Sequence, residues 1–170
     1  LVMGSTGPLA IGPSLRPETM RYDPIADLEP IAAIAWAPQV MVVRSDAPFD
    51  SVTGLIKHTK ESGEDLRYGT SGVGTTPHLV ISKFLHDTGL TGMHIPYKGG
   101  MQSLTDLMGG QVDFMSDNVP VFVSAFQGKR VKPIGVTSAE RIPTLPEVPT
   151  LAEQGIKDFS MQGWILLVAP

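Results

Sequence analysis

The residues best suited to chemistry lie in one stretch, Tyr68-Gly-Thr-Ser-Gly-Val-Gly-Thr-Thr-Pro-His78. A strand-like piece, Asp65-Leu-Arg-Tyr68, leads into it, and a helical pattern beginning Leu79-Val-Ile81 leads out. Strand, glycine-rich turn, hydroxyl-bearing cap and helix, in that order, make a site for an anion. The first amides of a helix have no intrahelical acceptor, and the helix dipole places partial positive charge there. Thr75 or Thr76 is expected as N-cap, with Pro77 at the first helical position, where its missing N–H costs nothing. Gly72 and Gly74 lack a Cβ, so their amides can approach an oxyanion, and Ser71, Thr75 and Thr76 add hydroxyls. The alternative is a tight strand-to-helix turn that needs its glycines for geometry alone.

Two nucleotide motifs are excluded. No Gly-Lys-Ser/Thr follows the turn, and the spacing of Gly69, Gly72 and Gly74 does not fit G-x-G-x-x-G. A carboxylate or phosphate is better supported. Ser71 and His78 raise the question of nucleophilic catalysis, but there is no nucleophile-elbow pattern and no orienting carboxylate placed for it. His78 is expected to be packed or hydrogen-bonded.

The chain's 170 residues suffice for one domain or two small ones, and its 42% hydrophobic and 18% charged residues are those of a soluble globular protein. A net charge of -4 without a basic run argues against nucleic acid as a partner. An anion site must therefore be built locally, from amides and hydroxyls. The absence of cysteine removes disulfides and thiolate chemistry, and the four histidines lack metal-ligand spacing. No metal or cofactor is expected. The longest apolar run, Ile31 to Ala37, is far short of the roughly 20 residues a membrane helix needs. Both ends fall inside strand-like runs, Leu1-Val-Met3 and Trp164 to Pro170, which reads as an interior fragment of a longer protein.

Strands are expected at Ile31–Trp36 and Gln39–Arg44, both buried, and at Met93–Tyr97, Val112–Ser116, Val131–Val136 and Phe159–Ala169. Helices are expected after Asp50 or Ser51, over about Pro77 to Asp87, over Met101 to Met108 with Met101, Leu104 and Met108 aligned, and over Val119 to Gln127. Leu9 to Arg16 suggests a short helix, and Thr150-Leu-Ala-Glu153 a capping box starting another. Trp36 and Trp164 are assigned to the core. Alternating strands and helices between residues 51 and 136 imply βαβ units and a mostly parallel sheet. In such sheets ligands sit beyond the carboxyl ends of the strands, near a switch in strand order. The loops Gly69–Thr76, Tyr97–Gly100 and Ser116–Asn118 meet that description, and Gly4–Gly7 reads as a fourth from another sheet.

Five segments, taken together and in order, resemble the substrate-binding proteins of tripartite tricarboxylate transporters, the Bug-type solute receptors. They are Tyr68 to Leu79, His94-Ile-Pro-Tyr-Lys-Gly-Gly100, Leu107 to Asp113 with Asp117-Asn118, Gly135-Val-Thr-Ser138, and Ile142 to Thr150. The resemblance implies an α/β protein of the type II periplasmic-binding-protein fold, with two lobes and a hinged cleft. Residues 1–44 and 160–170 would belong to an incomplete lobe 1, and residues 45–159 to a nearly complete lobe 2. It implies a non-enzymatic, monomeric periplasmic receptor that delivers a small organic carboxylate to the transporter's membrane subunits. On the matching positions, Ser71, Gly72, Gly74, Thr75 and Thr76 would contact the ligand carboxylate, with Ser5, Thr6 and Gly7 on the opposite wall. Asp117 would lie near the cleft, with Tyr97 and Lys98 as further candidates; plainer readings are a turn for Asp117-Asn118 and a solvated Lys98. The rival readings are an α/β enzyme using the 69–76 loop for a phosphate or carboxylate substrate, and a periplasmic sensor for a signalling partner.

Overall fold

The computed structural model describes residues 1–170. In chain order it forms β1 (Val2–Ser5), a π turn (Gly7–Ile11) running into α1 (Gly12–Leu15), β2 (Glu29–Arg44), α2 (Val52–Ser62) and β3 (Leu66–Thr70). Then follow α3 (Thr76–Thr88), β4 (Gly92–Pro96), α4 (Gly100–Met108), β5 (Phe114–Asn118), α5 (Val119–Gln127), β6 (Val131–Val136) and β7 (Gln162–Ala169).

β4 and β5 pair in parallel with β3, and β2 lies antiparallel between β5 and β6. The order is β4-β3-β5-β2-β6, with four strands running one way and β2 against them. Residues of β2 alternate between the two faces, as strand geometry requires. Met41 and Val43 join Leu55 of α2 and Ile81 and Phe84 of α3 in one core. Val40 and Val42 join Leu104 and Leu107 of α4 and Phe122 of α5 in the other. Helices thus cover both faces, and Val40 to Val43 are wholly buried.

The helix ends follow their sequence signals. Ser51 caps α2 by accepting the Gly54 N–H at 3.0 Å, and the left-handed Gly89 ends α3. In α4 the buried positions are Leu104 and Leu107, whereas Met101 is exposed. The Thr150–Glu153 capping box forms reciprocally, Glu153 N–H to Thr150 Oγ1 at 3.0 Å and Thr150 N–H to Glu153 Oε2 at 2.7 Å. It closes a turn, not a helix, because left-handed Gly155 follows at once.

Three expectations change. The two strands at 31–36 and 39–44 are one strand of 16 residues, which Pro38 does not interrupt. Its first part pairs with β7, which in turn pairs antiparallel with β1, while its last part enters the central sheet. The first part is also not buried: Ile31, Ile34 and Trp36 are 52%, 53% and 65% exposed, because no element of this chain packs over them. Residues 39–44 pair with β5 and β6. Finally, the sheet is mixed, since β2 is antiparallel to all its partners.

Phe114 is fully buried and packs against both Phe84 and Tyr68, with ring centroids 6.2 and 5.8 Å away. Phe114→Ala is expected to cost about 3–5 kcal/mol in urea unfolding. A loss below about 1 kcal/mol would contradict this packing.

Candidate functional site

The carboxyl ends of β3 and β5 point toward the place where β2 leaves one sheet for the other. There a cavity of about 250 Å³ is lined by three groups of residues. One wall carries Ser5, Thr6 and Gly7, at the end of β1; the other carries Ser71, Thr75 and Thr76, at the start of α3. Gln39, Asp117, Asn118, Gly163 and Trp164 form the floor between them. Seven of the residues singled out in the sequence are therefore brought together: Ser5, Thr6, Gly7, Ser71, Thr75, Thr76 and Asp117.

A Cβ built on Gly163 would lie 3.3 Å from Thr76 Oγ1 and 3.4 Å from Thr6 Oγ1, so one hydroxyl from each wall flanks this glycine. Thr6 is held in place by β7, its Oγ1 accepting the Trp164 N–H at 2.8 Å. Trp164, assigned to the core, is half-buried and lines the cleft.

The glycine loop is built differently from the expectation. Gly72 and Gly74 adopt φ of 127° and 80°, a region that side chains disfavour, and their amides are already used inside the loop. Gly72 N–H donates to Thr70 Oγ1 at 3.2 Å, and Gly74 N–H to His78 Nδ1 at 3.3 Å. Neither glycine lines the cavity. Thr75 is the N-cap of α3, with Pro77 one position later than expected, yet its hydroxyl donates to Gly72 O at 2.7 Å and caps no amide. These bonds tie the loop to itself and leave the donors of Thr76, a residue lining the cavity at the helix start, without a partner in the chain.

His78 is a support for this loop. Its ring stacks on His94 at 4.4 Å, and His94 stacks on Tyr68 at 5.0 Å while its Nε2 meets Thr70 Oγ1 at 2.7 Å. Burial lowers the pKa of both histidines, and the neighbouring His78 lowers that of His94 further. Both rings are thus held neutral, as an acceptor of the Gly74 N–H must be.

Tyr97 and Lys98 are not at the cavity. The Tyr97 hydroxyl donates to Asp106 at 2.7 Å, and burial together with that carboxylate pushes its pKa up to about 12. Lys98 is exposed.

On the floor, Asp117 is only 5% exposed. Its Oδ1 accepts the Asn118 N–H at 2.8 Å, whereas Oδ2 is buried with no partner. Burial raises its pKa, opposed by the Asn118 N–H and the nearby Ser71 hydroxyl, which makes no well-formed bond to Oδ2. Gln39, a residue the sequence reading passed over as one more position in an apolar strand, is also buried here. Its Nε2 donates to Ala37 O at 3.0 Å and to Asn118 Oδ1 at 2.6 Å, tying β2 to the start of α5. A polar residue between Pro38 and Val40 was the available signal. Asp117 is the only ionisable side chain lining the cavity, and there is no cluster of acidic residues and histidines able to hold a metal.

Comparison with known proteins bears on this cleft. The model for the tripartite tricarboxylate transporter family receptor matches residues 2–170. A Pseudomonas sp. (strain P51) protein from a tcbD-tcbE intergenic region is 36% identical over 150 residues, covering 88% of this chain and 45% of that protein. Among solved structures, Rpa4515 of R. palustris with adipate is 34% identical with a TM-score of 0.91, over 99% of this chain and 56% of that one. MatC of Rhodopseudomonas palustris with bound malate is 26% identical with a TM-score of 0.86, over 99% and 57%. The chain spans about half the length of the relatives it matches.

Two pH effects follow from the buried groups. Below the ordinary histidine value of 6.5, the unfolded chain binds protons that folded His78 and His94 refuse, so stability rises with pH through that window. The urea midpoint should fall as pH drops below 6.5, and a midpoint flat across that window would contradict it. For Asp117 the sign is opposite: above 3.8 the folded chain holds its proton longer, and charging it costs stability as pH rises. Asp117→Asn should therefore raise the melting temperature at neutral pH and lose that advantage near the ordinary carboxylate value. Equal gains at both would exclude burial of the charge as the cause.

Proposed function

This chain belongs to the tripartite tricarboxylate transporter receptor family, and from that premise we propose that it forms the cleft of an extracytoplasmic receptor for a small organic carboxylate. The observation that carries the reading is that the Thr6 and Thr76 hydroxyls, from opposite walls of one cavity, both flank Gly163. A carboxylate between them would take hydroxyl hydrogen bonds from both sides and the open N–H at the start of α3, where the helix dipole favours negative charge. Solved relatives hold adipate and malate, both carboxylates of the size such a cleft takes.

The lobes would divide at the crossing of β2, with residues up to about Pro38 and β7 on one side and residues 39–159 on the other. Ligand binding would draw the walls together, and the closed form would dock on the membrane subunits of a tripartite transporter. The receptor would work in the periplasm as a monomer. We infer binding without turnover, since a cleft whose single ionisable lining group is Asp117 offers no acid–base pair. That same composition weighs against the phosphate- or carboxylate-processing enzyme.

The test is a thermal-shift screen of the full chain against di- and monocarboxylates, with inorganic phosphate as the contrast. At a hundredfold excess over the dissociation constant, binding adds about 2.7 kcal/mol to stability, a rise of roughly 5–10 °C. A carboxylate should produce that shift, and Thr76→Val together with Ser71→Ala should abolish it. A shift with phosphate alone would overturn the assignment, as would a carboxylate shift indifferent to both substitutions.

A further inference from the structure

Behind the cleft, two segments of this chain pass between the sheets: β2 around Pro38-Gln39, and the approach to β7 around Met161-Gln162. They are joined through one residue, Thr137, which follows β6 and is completely buried. Its backbone accepts the Met161 N–H at 2.7 Å and donates to Gln39 O at 3.0 Å. Its hydroxyl accepts the Gln39 N–H at 3.1 Å. The hydroxyl proton has two acceptors in reach, Met161 O at 2.6 Å and Gln39 O at 3.3 Å, and the shorter distance favours Met161. One hydroxyl therefore links both crossings, accepting from the first and donating to the second.

The position matters because of what lies two residues further on. Met161 leads to Gly163, which the Thr6 and Thr76 hydroxyls flank, and to Trp164, whose N–H fixes Thr6. Gln39 leads, through its side chain, to Ala37 O on one side and Asn118 on the other. The register between the crossings sets where one wall stands relative to the other. A backbone ladder alone would permit small rotations about the crossings. A side-chain bond that spans both of them narrows that freedom.

We propose that Thr137 is a positioning residue for ligand binding: its hydroxyl pins the two inter-lobe crossings and so presets the spacing of the Thr6 and Thr76 hydroxyls. This rests on the receptor reading above. Thr137 has no exposed surface, so it acts through the crossings and not by touching the ligand.

The experiment uses Thr137→Val, which keeps the shape and removes the hydroxyl, and Thr137→Ser, which restores it. Thr137→Ala, smaller and free of a methyl facing Met161 O, serves if the valine variant does not fold. Two readouts are taken on the full chain: carboxylate affinity by calorimetry, and the inter-lobe distance distribution without ligand, from spin labels at Glu29→Cys and Lys60→Cys. Both sites are exposed and this chain has no native cysteine. The valine variant should broaden the distance distribution and weaken binding about tenfold, the size expected for one lost buried bond, and the serine variant should recover both. Unchanged distances overturn the proposal whatever happens to affinity, and so does a broadened distribution with undiminished affinity. If the unsubstituted chain binds no carboxylate while the valine variant still broadens the distribution, the pin stands and the receptor reading falls.

Discussion

Everything in this structure depends on one strand being shared by two sheets. β2 must satisfy its backbone groups along its whole length, since a buried N–H or C=O left unpaired costs as much as a lost hydrogen bond. It does so by changing partners, from β7 before Pro38 to β5 and β6 after it. The change of partners makes a crossing without a flexible linker. Rigid bodies joined by continuous strands can rotate about a few backbone bonds but cannot drift apart. That is the mechanical property a closing cleft requires.

Three of the buried polar groups gather at the crossing. Gln39, Asp117 and Thr137 are almost completely inaccessible, and all lie where β2 changes partners or at the strand ends beside it. A core of this size has no general use for them, because each must be hydrogen-bonded or else costs stability. Thr137 is fully paired, whereas Gln39 Oε1 and Asp117 Oδ2 are not. The unpaired acceptors sit at the cleft floor and the paired one sits behind it.

The glycine loop shows how a binding surface is made by committing most of its donors elsewhere. The amides of Gly72 and Gly74 and the hydroxyl of Thr75 are used to hold the turn, on a platform of stacked His78, His94 and Tyr68. What remains free is the start of α3. A rigid loop presenting few donors loses less entropy on meeting a ligand than a mobile one presenting many. The glycines serve backbone geometry, and the helix start is left open for the proposed anion.

The sequence by itself determined the local elements and the strand-turn-helix form of the loop. Alternating β-branched runs, the Ser51 cap, Gly89 at the end of α3 and the strand-turn-helix order around Gly69–Thr76 are all short-range signals, and propensity and capping act at short range. Several segments taken together, His94 to Gly100 among them, indicated the family. Only the tertiary structure decided which residues meet. Thr6 and Thr76 lie 70 positions apart, and nothing local in either sequence context reports that both flank Gly163. Nor could spacing tell that Gly72 and Gly74 turn their amides inward, because that choice depends on where His78 and Thr70 stand. The exposure of Ile31, Ile34 and Trp36 was hidden for the same reason: hydrophobicity says that a residue prefers to be covered, and long-range packing decides whether this chain covers it.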